Sequence, residues 1–359
     1  MEDTRKPAAP RGRAAATNPD SRYAAWTREA SDDGWNSAEQ DEPALPTQLI
    51  IDRAKSVIAY NDSPDVPFTH SINPYRGCEH GCAYCFARPS HAYLGLSPGL
   101  DFETRIAYKP DAPECLRAEL AAPSYRCAPI ALGINTDGWQ PIERKLELTR
   151  RLLEVLHECA HPVSIVTKAA LITRDLDLLA DMGRRNLVQV MFSVTTLDGD
   201  LARRMEPRAA QPQRRLAAMR ELAAAGVPVG VLFAPLIPAL NEHEMEAVLA
   251  AARDAGATNA GYVLLRLPRE VGPLFKDWLQ RMEPGKAEHV MSRMRQMHGG
   301  KEYDSNFGQR MRGSGPFADL LAQRFRLAAT RLGLDRRLAA LDLTQFRPPR
   351  AATGQMELF

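Results

Sequence analysis

The chain has 359 residues, 45% hydrophobic and 25% charged, with a formal net charge of +2. That is enough apolar material for one large core or two modest ones, and it excludes a wholly disordered or fibrous chain. No run approaches the roughly 18 apolar residues that span a bilayer, and the start MEDTRKPAAPRGRAAATNPDSRYAAW has no signal-peptide core, so a soluble cytoplasmic protein is expected.

Residues 1–45 mix Ala, Arg, Pro, Asp and Glu without hydrophobic period and read as a disordered N-terminal arm. Residues 46–270 read as the core. From about residue 69, short β-branched runs alternate with amphipathic helical stretches. THSINPY is the first predicted strand and PIALGIN the second. One long helix, PIERKLELTRRLLEVLHEC, follows, with Pro141 in its first turn and Ile142, Leu146, Leu153 and Leu156 near one face. PVSIVTK, LVQVMFSVTT, VPVGVLFAPLI and NAGYVLLRL complete six strands, and Gly226 is placed to end the helix QPQRRLAAMRELAAAG.

Strands that are nearly all apolar and separated by helices imply parallel pairing with right-handed crossovers. The architecture is then a doubly wound sheet or an open or closed α/β barrel, and ligands gather at the carboxyl ends of the strands in either. Those ends carry Asn135, Thr136, Asp137, Thr167, Lys168, Ser193, Thr195, Pro235 and Arg266, mostly polar.

The stretch NPYRGCEHGCAYC places Cys78, Cys82 and Cys85 within eight positions. Six cysteines scattered at random would give C-x3-C-x2-C about 0.002 times in such a chain. Three neighbouring thiolates repel one another unless a cation neutralises them. Cys78, His80, Cys82 and Cys85 could form a tetrahedral zinc set. Zinc loops, however, usually come as two ligand pairs on well-separated knuckles, whereas three cysteines on one short loop suit three corners of an iron–sulfur cubane and leave the fourth iron open. Cys115, Cys127 and Cys159 have no such spacing and read as small buried residues.

CEHGCAYC, with Tyr84 before the last cysteine, resembles the signature of the radical S-adenosylmethionine (SAM) superfamily. The resemblance implies a partial (β/α)6 barrel with the cluster loop after the first strand. It implies that Cys78, Cys82 and Cys85 ligate a 4Fe-4S cluster whose open iron chelates SAM, and that one electron, from a flavodoxin or ferredoxin, then releases a 5′-deoxyadenosyl radical. Tyr84 would lie by the adenine, with Thr136, Asp137, Lys168 and Ser193 near the rest of SAM. Bland roles stand beside these: Asp137 as a cap, Lys168 paired with a carboxylate, Ser193 bonded to a neighbouring strand. GINTDGWQPIE, VSIVTKAALITRD and MEPRAAQPQRRLAAM further resemble spore photoproduct lyase and its bacterial relatives, which implies a DNA substrate. That lyase takes a hydrogen from a cysteine near the end of the second strand, whereas IALGINTDGW has none. Either another donor such as a tyrosine serves, or the substrate differs.

Residues 281–350 hold fourteen Lys or Arg against seven Asp or Glu. The segment 271–350 therefore reads as a basic, mostly helical extension, either a solvated surface or a face for a polyanion. Arg310, Arg312, Arg324 and Arg326 are candidates for phosphate contacts, with Tyr303 and Phe307 available for stacking unless the segment only closes the barrel. The tail 351–359 ends in QMELF, whose Gln355, Leu358 and Phe359 resemble the peptide by which bacterial DNA enzymes dock on the sliding clamp. Three function classes follow: a radical enzyme on DNA, the same chemistry on RNA, protein or a small molecule, and a zinc-stabilised nucleic-acid-binding module.

Overall fold

In the computed structural model, residues 9–23, 45–336 and 338–349 are described. The six expected strands all form: β1 (His70–Ile72), β2 (Ile130–Leu132), β3 (Val163–Thr167), β4 (Val188–Ser193), β5 (Val229–Leu236) and β6 (Asn259–Leu264). Each pairs in parallel with the next in sequence. A doubly wound sheet would reverse direction part-way, so the unbroken order gives a partial barrel, with the helices outside. Ile58–Tyr60 adds an antiparallel strand beside β1. Among the described residues no helix is long and apolar enough to cross a membrane.

The core follows from the apolar runs. Val188, Val190 and Phe192 on β4 and Val229, Val231 and Phe233 on β5 are fully or nearly fully buried, facing Leu152, Leu179, Met219 and Leu249 of the surrounding helices. Each such side chain contributes about 1.5–3 kcal/mol on burial.

The long helix expected after β2 is two helices, Glu143–Leu146 and Leu148–Glu158, broken where Glu147 takes a left-handed φ of 48°. The cause is the buried carboxylate of Glu143. It accepts hydrogen bonds from the backbone N–H groups of Leu148, Thr149 and Arg150 at 3.1, 3.0 and 3.3 Å, so it caps the second helix from within the first. Pro141 lies before the first helix, not in its first turn. Gly226, at φ 84°, follows the helix Pro212–Ala224 as expected.

Two terminal segments differ from their composition. Residues 9–23, assigned to the disordered arm by composition, include a packed stretch: Arg13, Ala14 and Ala15 are buried against Glu103. Residues 24–44 lie outside the described residues. At the other end, the extension covers the free edge of β6, where Leu264 N–H donates to Met311 and Ala260 N–H to Leu334. The chain then passes under the barrel, where Phe346 packs on Tyr125 and His161.

Gly133, immediately after β2, has φ 79°, and a Cβ there would lie 2.0 Å from the carbonyl oxygen of Val166 on β3. Gly133→Ala is therefore expected to destabilise the fold by more than about 2 kcal/mol, read as a lower midpoint in chemical denaturation.

Candidate functional site

The cysteine loop leaves β1 at the carboxyl edge of the barrel and has no regular structure to satisfy its carbonyls. Arg88, 1% exposed, does so. Its guanidinium donates to Cys82 O at 2.9 and 3.0 Å, to Gly81 O at 3.4 Å, to Pro98 O and Gly99 O at 3.0 Å, and to Glu103 at 2.5 Å. Glu103, fully buried, also accepts from the N–H groups of Ala14 and Ala15. Gly81, at φ 65°, passes so near that a Cβ would sit 2.8 Å from the Glu103 carboxylate. Gln140 closes the loop from the β2 side, accepting from Glu79 N–H and donating to Gly77 O.

Cys78 and Cys82 are buried, Cys85 is half-buried, and Cys78 and Cys85 pack together with Ala87 and Phe102. Burial pushes the Cys78 thiol well up, with Cys82, Asp137 and Cys85 adding repulsion. Burial also moves Cys82 to about 12, Glu206 adding to the rise. Thiols this unfavourable to ionise would become thiolates only beside a strong positive charge, which is the condition a metal cluster meets. His80, the fourth member of the zinc set, is buried with Nδ1 3.6 Å from Asp137.

A second buried ion pair lies behind the loop. Tyr84 donates its hydroxyl to Glu206, which also accepts from Arg215 and, at 2.7 Å, from Thr195. Burial alone would raise the Glu206 carboxyl, but Arg215 and Lys168 outweigh it and hold the group down at about 2. Lys168 stands 5.8 Å above the Tyr84 ring, and its charge reaches both Cys82 and Glu206.

The other residues expected near SAM are engaged locally. Asp137 accepts from Trp139 N–H, the Thr167 hydroxyl and Lys168 N–H at 2.7–3.0 Å, tying the ends of β2 and β3 together. Thr136 donates to Tyr75 O at 3.0 Å, and Ser193 to Ala234 O on β5 at 2.8 Å. Of these side chains, Lys168 alone has no hydrogen bond or ion pair among the described residues.

Around the mouth, arginines sit on aromatic faces. Arg266 lies 4.7 Å from the Phe86 ring, Arg310 4.6 Å from Phe307, and Arg22 is 5.0 and 5.4 Å from Tyr23 and Tyr93. Phe86, Tyr93, Tyr23 and Phe307 are all exposed.

A family model for the radical SAM superfamily matches residues 72–252. The chain belongs to the radical SAM superfamily. Its cofactors are a 4Fe-4S cluster and SAM, and it is an enzyme of that superfamily. An uncharacterized protein of Mycobacterium tuberculosis is 37% identical over 294 residues, covering 76% of this chain and 85% of its own. An uncharacterized protein of Methanocaldococcus jannaschii is 25% identical over 197 residues, 55% and 71% of the two chains. In fold, spore photoproduct lyase complexed with dinucleoside spore photoproduct is similar at a TM-score of 0.55 and 17% identity, over 79% of each chain.

Two of the four arginines proposed for phosphate are committed inside the protein. Arg310 bonds Asp65 at 2.5 Å and Ser63 at 2.6 Å, and Arg324 pairs with Glu246 at 2.9 Å, because both carboxylates lie where the extension crosses the barrel. Arg312 lies 5.8 Å from Tyr262 and Arg326 is exposed. Tyr303 is partly buried against the core. Cys127 precedes β2 and so lies at the end remote from the cysteine loop, as expected. Gln355, Leu358 and Phe359 lie outside the described residues.

Sequence reasoning missed Arg88, Glu103, Glu206 and Arg215. No periodic or spacing signal marks an arginine that will be buried, since arginines also populate exposed helix faces.

Arg215→Met would leave Glu206 buried without its main counter-charge and is expected to cost about 3–5 kcal/mol at neutral pH. Because Glu206 is held at about 2 against an ordinary 4.5, its stabilising contribution is present above about pH 4.5 and is lost as pH falls toward 2. The stability gap between the unmodified protein and this variant should therefore narrow from pH 6 to pH 3 in urea titrations.

Proposed function

We propose that Cys78, Cys82 and Cys85 hold the 4Fe-4S cluster, that Lys168 binds the SAM carboxylate, and that the substrate is a damaged or modified DNA. The cluster and SAM together supply a 5′-deoxyadenosyl radical able to abstract a hydrogen atom. The chain's own residues do the rest. Arg88 and Glu103 hold the loop carbonyls, the Glu206–Arg215 pair fixes Tyr84 behind the last cysteine, and Asp137 keeps the ends of β2 and β3 in register. Lys168, an unpaired cation close to Cys82, is placed to receive an anionic group beside the cluster.

Several observations favour the cluster over zinc. His80 is turned toward Asp137, and the family match brings the cubane with it. The single observation that carries the nucleic-acid reading is the exposed Phe86 ring under Arg266, with exposed Tyr93 and Phe307 as further stacking faces; Arg22 and Arg310 are already paired with Glu270 and Asp65. The fold's similarity to a lyase solved with a dinucleoside photoproduct supports the same substrate class. Tyr84 and Ser193 would then act mainly as supports for the loop and β4, and Thr136 likewise for Tyr75. Arg312 and Arg326 remain the extension's free candidates for phosphate. QMELF would tether the enzyme to a sliding clamp in the cytoplasm.

Anaerobically prepared protein is expected to hold near four irons and no stoichiometric zinc, and to release 5′-deoxyadenosine from SAM with dithionite. Cys82→Ala should abolish both. One zinc with no SAM cleavage would sink the assignment. Lys168→Met should weaken SAM binding roughly 10- to 100-fold by calorimetry with iron content unchanged.

Phe86→Ala and Tyr93→Ala should each weaken binding of a single-stranded oligonucleotide by about 1–3 kcal/mol in fluorescence anisotropy. Unchanged affinity in both variants would remove the support for a nucleic-acid substrate. Removing residues 355–359 should abolish clamp binding in a pull-down while leaving SAM cleavage intact.

A further inference from the structure

Outside the mouth, a cleft of about 410 Å³ opens against the cysteine loop, lined among others by His80, Trp139, Arg144, Arg208, Gln211 and Arg214. Its walls belong to the outer layer: the helix Glu143–Leu146, the turn Ala170–Asp175 after β3, and the start of the helix Pro212–Ala224. It is therefore separate from the rim of Phe86, Arg266 and Phe307, where a substrate would enter.

The cleft is electrostatically one-sided. Three arginines line it and no carboxylate does. Arg208 is partly offset by Glu79 at 3.1 Å. Arg144 and Arg214 are exposed, and among the described residues neither side chain has an ionic, hydrogen-bonding or ring partner. Arg150, Arg174, Arg215 and Arg324, by contrast, are paired with carboxylates. The helix beginning at Pro212 has no side-chain cap, so its positive end adds to the same field. Cations gathered without counter-charge favour an approaching anion.

Position narrows the occupant. His80 forms one wall and lies two residues from both Cys78 and Cys82, so the cleft is a point where the protein surface comes close to the cluster loop. Arg208 N–H donates to His80 O, tying the cleft's basic wall to the loop itself. The exposed aromatic faces that would stack bases are at the mouth, whereas Trp139 in the cleft is 1% exposed.

We propose that this cleft docks an acidic, low-potential one-electron carrier protein, with Arg144, Arg208 and Arg214 meeting its carboxylates. The inference rests on Cys78, Cys82 and Cys85 holding the cluster. In the step concerned, the reduced carrier loses one electron and the oxidised cluster gains it, with no bond or proton transferred.

The test uses the full chain with its cluster, a flavodoxin and a ferredoxin as probes, and the double variant Arg144→Glu/Arg214→Glu. Calorimetry with the oxidised carriers should show at least tenfold weaker binding than to the unmodified protein, whose own affinity falls between 50 and 250 mM salt. Arg144→Lys/Arg214→Lys should retain most of that binding. SAM cleavage driven by the reduced carrier should drop at least tenfold in the Glu variant, with dithionite-driven cleavage unchanged.

Carrier binding that is absent from the unmodified protein, or the same in the Glu variant, overturns the proposal. So does a loss confined to oligonucleotide affinity, which would give the cleft to a polyanion instead. Failure of dithionite-driven cleavage in the unmodified protein strikes the cofactor assignment, while the binding measurement still judges the cleft.

Discussion

A loop that brings three thiols together can neither coil nor pair, so its carbonyls must find donors elsewhere, and Arg88 is the donor on which the site depends. One guanidinium meets four carbonyl oxygens and the Glu103 carboxylate in a space from which water is excluded. A buried pair of this kind contributes little net stability against an apolar replacement, but losing one partner leaves an uncompensated charge. Its value here is geometric. It fixes the loop's path, and through Glu103 it draws Ala14 and Ala15 onto the same structure.

The second pair, Glu206 with Arg215, does for Tyr84 what the first does for the carbonyls. Arg215 reaches Ser193 O at the end of β4 and Ala210 O in the following loop, so one side chain joins the cysteine loop, a barrel strand and the helix layer. Asn241 repeats the device between β4 and β5, bonding Thr195 O and Pro235 O. The carboxyl edge of the barrel is thus held by buried polar side chains at several joints, and among the described residues Lys168 is left with the Tyr84 ring against it but no hydrogen bond or ion pair. A rigid scaffold around one unpaired charge favours binding an anion without reorganisation.

Charge on the outer surface divides in the same way. Arg310 and Arg324 are spent on fixing the extension to the barrel, whereas Arg266 beside Phe86 and Arg144 and Arg214 of the cleft by His80 remain open to solvent or an aromatic ring. Net basicity in the last third of the chain therefore says less about partners than the pairing of each guanidinium does.

The six strands and the cysteine loop were legible in the sequence, because apolar β-branched runs and thiol spacing are local signals. The sequential order of the strands, which makes the sheet a partial barrel, follows from pairing and was only one of the alternatives that pattern allowed. Whether Asp137 binds a ligand or staples two strands, and whether Arg310 meets phosphate or Asp65, depended on groups 30 and more than 200 residues away, which no local pattern records. The break at Glu147 came from a carboxylate, Glu143, buried by the fold and turned onto the start of the following helix. Residue type and spacing settled the chemistry available to the site; only long-range packing decided which charges were consumed in building it and which stayed free to act.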